Sequence, residues 1–133
     1  MSNLDFRKYL KLLLYLVALH SFLVGLGLII MPSAFIESLG YYPCGERFFR
    51  AQGGVFHIAM AVGYAMAGFN SRRFQCLVIF SIIVKIVATL FLFSYFVFVN
   101  QLLILLLSLI SDFLMGVFIW VLYYYSNKEA GTE

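Results

Sequence analysis

Charged side chains are scarce in this sequence, since Asp, Glu, Lys and Arg together make up only 11% of its 133 residues. A soluble domain carries roughly 25%. Hydrophobic residues account for 64% of the chain and occur in runs as long as a helix. The shortage of charge argues against a water-soluble fold, and the long apolar runs predict a polytopic integral membrane protein.

Cysteines are also few, and several chemical motifs are absent. The two cysteines, Cys44 and Cys76, form no CxxC pair and have no metal-ligand spacing, so we expect neither a disulfide framework nor a metal site. No G-x-S-x-G or H-E-x-x-H motif is present, and the prediction therefore leans against an enzyme and names no catalytic residue. The net charge of +3 comes from basic residues beside apolar runs, which favours a bilayer rather than a nucleic acid as partner.

Four stretches reach the roughly 20 mostly apolar residues that a transmembrane helix needs. They cover residues 12–31, 48–69, 76–97 and 102–125. Pro32, the polar run NSRR and the pair Asn100–Gln101 separate them. Short connections make neighbouring helices antiparallel, so the sequence predicts an all-α, up-down four-helix bundle, with residues 1–133 as a single transmembrane domain.

The distribution of basic residues predicts the orientation. One side has Arg7, Lys8, Lys11, Arg72, Arg73 and Lys128, whereas the other has only Arg47 and Arg50. The positive-inside rule then places both termini in the cytoplasm and Cys44 and Cys76 on opposite sides of the membrane.

The first connection faces outward in this topology and contains PSAFIESLG, residues 32–40. Phe35, Ile36 and Leu39 share one face at helical spacing. This pattern predicts a short amphipathic helix on the outer membrane surface, and an irregular loop over the bundle mouth is the alternative.

Each predicted span has one ionisable side chain in its interior: His20, His57, Lys85 and Asp112. Counting from the outer ends places all four roughly 13 to 18 Å deep, near the middle of a hydrocarbon core about 30 Å thick. An unpaired charge at that depth costs a few kcal/mol. We therefore expect Lys85 and Asp112 to pair, either directly or through a bridging group, because Asp112 lies level with Thr89 by residue count.

Polar stripes on the predicted helices indicate a cavity. The second span carries Glu46, Arg50, Gly54, His57, Ala61, Tyr64 and Gly68 at steps of three or four residues. The predicted binding cavity consists of Lys85, Asp112, His57, His20, Arg50, Glu46, Tyr64, Thr89 and Ser108. A second face of the same span has small-xxx-small spacing, Ala59, Gly63 and Ala67, and should pack closely against a neighbouring helix. The alternative is that the polar groups only fix helix register.

Two segments resemble the DoxX-like group of small four-helix membrane proteins. They are GLGLIIMPSAFIESLG, a glycine-rich exit followed by Pro32, and FFRAQGGVFHIAMAVGYAMAG, with Arg50 at the start of a span rich in small residues. The likeness covers roughly the first half of the chain and leaves out Lys85 and Asp112. It implies a four-helix bundle and, as for some members, a membrane partner of quinone-linked oxidoreductases.

These features leave three functional hypotheses open. In the first, the chain is a non-catalytic subunit or binding module whose cavity holds a lipid, a quinone or a partner membrane protein. In the second, it is a redox subunit that binds quinone or a haem b, with His20 and His57 as axial ligands. In the third, it is a proton-coupled carrier that works as a homo-oligomer, since the chain is short for a transporter with inverted repeats.

Overall fold

The computed structural model describes residues 5–43 and 45–130 (for 129 and 130 the backbone only), so Cys44 lies outside the described residues. All regular structure in this part of the chain is α-helical, which confirms the predicted class. The helices are α1 (Phe6–Ile30), α2 (Ser33–Ser38), α3 (Phe48–Phe69), α4 (Gln75–Phe98) and α5 (Leu103–Ala130).

The first helix begins at Phe6 rather than at residue 12, because Asp5 caps its N-terminus. The Asp5 carboxylate accepts a hydrogen bond from the backbone N–H of Lys8 at 3.2 Å, and aspartate is a preferred N-cap residue. The helix ends at Ile30, directly before Met31 and Pro32, since proline cannot continue the ladder of backbone hydrogen bonds.

The predicted helix in the first connection is present as α2. Gly40 follows it with a φ of 94°, a conformation that glycine adopts readily, and its N–H donates to the Glu37 carbonyl at 2.9 Å. Phe35 and Leu39, from the predicted apolar face, remain exposed on the protein.

Within the residues that the structure describes, three helices are long and apolar enough to cross a membrane: Phe6–Ile30, Gln75–Phe98 and Leu103–Lys128. They indicate a membrane protein. α3 has the same bounds as the second predicted span but is not among these three, because Arg50, Gln52 and His57 make it more polar.

The four long helices form a closed ring of contacts. α1 packs mainly against α3, and α4 packs mainly against α5; α5 also contacts α1, and α3 also contacts α4. The best-buried core lies around the first half of α1 and contains Leu10, Leu14, Val17, Ala18, Tyr64, Ala67, Val78 and Ile119. The second half of α1 contributes little to this core and instead lines a large pocket.

A pair of glycines allows the close approach of α1 and α3. A Cβ atom on Gly25 would lie 2.6 Å from the Gly54 carbonyl oxygen, and a Cβ on Gly54 would lie 2.6 Å from the Gly25 oxygen. The predicted packing face is different. A Cβ on Gly63 would meet nothing within 4 Å, and Ala59 is exposed. The third residue of the predicted face, Ala67, is fully buried in the main core, so the prediction is confirmed at Ala67 and wrong at Ala59 and Gly63. Among the described residues, the close approach of α1 to α3 uses Gly54 of the polar stripe.

Candidate functional site

Lys85 and Asp112 form a direct ion pair between α4 and α5. The Nζ atom of Lys85 lies 2.5 Å from Oδ1 of Asp112, so no bridging group is needed. The exposed fractions of the two side chains are 7% and 16%. Both side chains are therefore largely buried, and each keeps a small exposed fraction through which an incoming molecule can reach the pair.

Tyr64 of α3 completes a cluster around the ammonium group. Lys85 Nζ lies 5.6 Å from the centroid of the Tyr64 ring, within the range of a cation–π interaction. The tyrosine is 2% exposed and belongs to the main core. Three helices thus meet at the lysine, which fixes its position more firmly than the Asp112 contact alone.

Two hydroxyls near the pair bond to their own helix. Thr89 Oγ1 donates to the Lys85 carbonyl at 2.7 Å, and Ser81 Oγ donates to the Leu77 carbonyl at 2.6 Å. Such bonds to the preceding turn are the usual arrangement for a helical serine or threonine in an apolar setting. Their hydroxyl protons are therefore already engaged.

The ion pair forms part of the wall of a groove between α4 and α5. The groove has a volume of about 240 Å³ and is lined by Ile82, Lys85, Ile86, Thr89, Leu90, Asp112, Phe113, Gly116, Val117 and Trp120. Ile86, Leu90 and Phe113 are more than half exposed at its edge. The groove therefore presents one charged pair in otherwise apolar surroundings. Trp120 is not among the cavity residues predicted from the sequence, so its place in this wall was missed.

A larger pocket lies beside the second half of α1. It has a volume of about 610 Å³, and its polar lining comes from His20, Ser108, Arg50, Tyr41 and Tyr42. Arg50 Nη2 donates to the Met31 carbonyl at 2.9 Å, which fixes the guanidinium at the end of α1. We call this space the α1–α5 pocket. The side chains of Lys85, Thr89 and Asp112 do not line the α1–α5 pocket. The residues of the single predicted cavity are therefore divided between separate spaces in the structure.

Glu46 lines a third, smaller pocket of about 120 Å³. One of its carboxylate oxygens accepts a hydrogen bond from the backbone N–H of Phe48 at 2.7 Å, at the start of α3. This bond satisfies an N–H that has no partner within the helix. Arg50 also lines this pocket, so Glu46 and Arg50 lie at the same end of the molecule, as their spacing predicts.

His57 is exposed and lies against α1 through Ser21. The Ser21 hydroxyl donates to the His57 carbonyl at 2.9 Å and lies 3.4 Å from Nδ1 of its ring. Ser21 is buried, and its role was not predicted from the sequence. The available signal was a serine next to His20 in an apolar span, at the same depth as His57.

The haem alternative requires His20 and His57 to face one space. His20 lines the α1–α5 pocket, whereas the His57 ring lies against Ser21. The arrangement thus gives the haem hypothesis no added support.

No protein-family model, no curated protein and no solved structure matches this chain. The resemblance to DoxX-like proteins therefore stays a prediction, and the case for function depends on the groove, the pocket and their side chains.

Proposed function

We propose that the protein crosses the membrane four times as an antiparallel bundle of α1, α3, α4 and α5, with both termini in the cytoplasm. The closed ring of helix contacts supports this arrangement. α3 has 22 residues, and at about 1.5 Å per residue its length of roughly 33 Å exceeds a hydrocarbon core of about 30 Å. Its most polar residue, Arg50, lies in the first turn, where a long side chain can reach the interface.

We further propose that the chain is a non-catalytic binding module for a lipophilic molecule with a hydrogen-bonding group. The observation that carries this proposal is the Lys85–Asp112 pair in the wall of an apolar groove. Ionisable residues inside a membrane are costly and usually serve a ligand, a pathway or a partner. The exposed apolar edge of the groove gives a molecule dissolved in the bilayer direct access to the pair.

A quinone has the chemistry that this groove would recognise. The Lys85 ammonium has three donors, and the bond to Asp112 uses one. A quinone carbonyl could accept a second, while its flat ring would pack against Phe113 and Trp120. A lipid ester carbonyl offers the same acceptor but lacks the flat ring, so the aromatic wall favours the quinone.

The chain would then act as an accessory subunit of a larger membrane complex. The connections between α3 and α4 and between α4 and α5 are short, and the one between α1 and α3 contains only the short helix α2, so they leave little room for a separate soluble domain. The DoxX-like resemblance supports the same role, because some members of that group are partners of quinone-linked oxidoreductases. In this role Lys85 and Asp112 bind and orient the ligand, and the electron chemistry belongs to the partner protein.

The test is photolabelling of native membranes with a quinone that carries a photoreactive group on its ring. We expect label on the α4 or α5 segment that lines the groove, and at least a fivefold loss in Lys85→Met, because a charged hydrogen-bond donor is removed. Lys11→Met is the matched control, since Lys11 is exposed on α1. Equal labelling of Lys85→Met and wild type would contradict the proposal. Label transfer to another protein through the groove would instead indicate a partner helix.

A further inference from the structure

The end of the molecule near α2 combines an apolar pocket with a charged one. The α1–α5 pocket and the smaller pocket beside Glu46 share three lining residues, Ile36, Tyr42 and Arg50. The two spaces therefore adjoin each other. We call the smaller space the charged pocket. Neither contains Lys85 or Asp112, so they form a place for a ligand other than the α4/α5 groove.

The α1–α5 pocket has a length along α1, a volume and an apolar lining that suit an acyl chain. Its α1 lining runs from Met31 to His20, a distance of roughly 16 Å at about 1.5 Å per residue. Its volume of about 610 Å³ falls within the roughly 300 to 1,000 Å³ of small-molecule sites. The apolar lining is Leu23, Val24, Leu28, Met31, Ile36, Leu39 and Ile104.

The charged pocket carries both signs of charge. Glu37, Glu46, Arg47 and Arg50 all line it. In the part of the chain that the structure describes, Glu37 forms no ion pair with Arg47 or Arg50. The Arg50 guanidinium has five N–H donors, and its bond to the Met31 carbonyl uses one. The pocket thus offers a cationic and an anionic group to a ligand that has both charges.

We propose that these two pockets together bind one zwitterionic phospholipid with a primary ammonium headgroup, of the phosphatidylethanolamine class. Its phosphate bonds to Arg50, since arginine matches the fork geometry of phosphate oxygens. Its ammonium group bonds to Glu37, and one acyl chain lies along α1 toward His20. A quaternary ammonium headgroup lacks the N–H donors that a carboxylate pairs with, and a purely anionic headgroup leaves Glu37 facing a like charge.

Tyr41 supplies a neutral hydrogen-bond donor where the lipid headgroup meets the acyl chains. It lines the α1–α5 pocket and is half-buried. Burial raises the pKa of the Tyr41 phenol, and the nearby Tyr95 raises it further. The hydroxyl thus stays protonated at neutral pH and is able to donate to a lipid ester or phosphate oxygen.

The test is native mass spectrometry of the purified protein after exchange into mixed micelles with equal amounts of dioleoyl phosphatidylethanolamine, phosphatidylcholine and phosphatidylglycerol. We expect one retained phosphatidylethanolamine, at least threefold over the other two lipids. Arg50→Met should reduce that adduct about tenfold, because charge-assisted hydrogen bonds are lost. Arg73→Met, the same change just beyond the opposite end of α3, should retain it.

Two further variants separate binding from folding. Ile104→Trp fills the α1–α5 pocket while it leaves Arg50 in place, and it should also lose the adduct; circular dichroism establishes that each variant is still helical. Glu37→Gln should remove the preference for phosphatidylethanolamine over phosphatidylglycerol. Equal retention of the three lipids by wild type, or unchanged adducts in folded Arg50→Met and Ile104→Trp, would overturn the proposal. A loss of the adduct in Arg73→Met equal to that in Arg50→Met would also overturn it, since the lipid would then be a general surface lipid.

Discussion

The Cβ atom of Lys85 faces Gly116 rather than Asp112. A Cβ built on Gly116 would lie 3.1 Å from it, and Asp112 lies one turn earlier in α5. The lysine side chain therefore extends along α5 by about one turn, roughly 5.4 Å, before its ammonium meets the carboxylate. Gly116 provides the space for this path, because a Cβ atom at this position would press on the lysine stem.

Removing one partner of the ion pair should destabilise the protein strongly. Lys85→Met leaves Asp112 without its partner, and Asp112→Leu leaves the lysine without its own. Breaking a buried pair in this way costs about 3–5 kcal/mol. The double variant Lys85→Met with Asp112→Leu should recover most of that loss, because no buried charge remains. Reversible unfolding in mixed micelles measures the free energy of unfolding of all three.

Ser94→Ala is the control for this series, since Ser94 lies on α4, is exposed, and bonds to the Leu90 carbonyl. It should change the free energy of unfolding by less than about 0.5 kcal/mol. If the two single substitutions and the double substitution lowered the free energy of unfolding by the same amount, the pair would make no coupled contribution to stability.

Glycine substitutions should separate the packed face of α3 from its open face. Gly54→Ala places a methyl group 2.6 Å from the Gly25 carbonyl oxygen, so α1 and α3 must move apart. Overpacking of this kind costs about 1–3 kcal/mol. Gly63→Ala meets nothing within 4 Å and should be neutral or stabilising, because alanine favours a helix by up to about 1 kcal/mol over glycine. Thermal unfolding of the two variants is the measurement, and a more damaging Gly63→Ala would contradict the described interface.

The proposed topology predicts which positions a membrane-impermeant maleimide reaches in intact cells. In a Cys44→Ser background, Cys76 at the start of α4 should be labelled only after permeabilisation. With Cys76 also replaced by serine, Asn100→Cys in the connection between α4 and α5 should be labelled directly. The reverse pattern would place both termini outside, and labelling of both positions in intact cells would rule out a single crossing by α4.

Tyr41 should make stability sensitive to alkaline pH. Burial is the larger cause that raises the pKa of Tyr41 above its ordinary value of about 10, and the nearby Tyr95 is the smaller one. The folded state therefore favours the neutral phenol. The resulting stability is fully present below about pH 10 and is lost as the pH rises through the pKa of the folded state. Between about pH 9 and pH 11, the melting temperature of wild type should fall more than that of Tyr41→Phe. Parallel curves would show that Tyr41 ionises freely in the folded protein.

The helices themselves were largely predictable. Apolar runs and the breaks at Pro32 and Asn100 indicated the four long segments, because helix length and breaker residues act locally. The start of α1 at Phe6 was not predicted, because a search for apolar runs takes no account of the N-cap at Asp5. The Lys85–Asp112 pair was predicted on the principle that a charge in an apolar medium is stabilised by an opposite charge.

The grouping of the predicted site residues could not be predicted in the same way. The stripe on α3 placed Arg50, His57 and Tyr64 on one face, yet the structure directs Tyr64 to Lys85 and Arg50 to the end of α1. Helical periodicity states which residues share a face but not which neighbour that face meets. A helix face about 100° wide can border two separate spaces, and the polar stripe on α3 does so.

Sequence alone determined that this chain is helical and suited to a membrane, because composition and the length of apolar runs fix the medium in which each segment is stable. It also determined that Lys85 needs a partner. Tertiary structure decided the rest: the contact of Gly25 with Gly54 brings α1 onto α3, and the Gly116 gap lets Lys85 reach Asp112. Both depend on the distance and rotation between helices, which arise from packing across the whole ring and leave no local signal in the sequence.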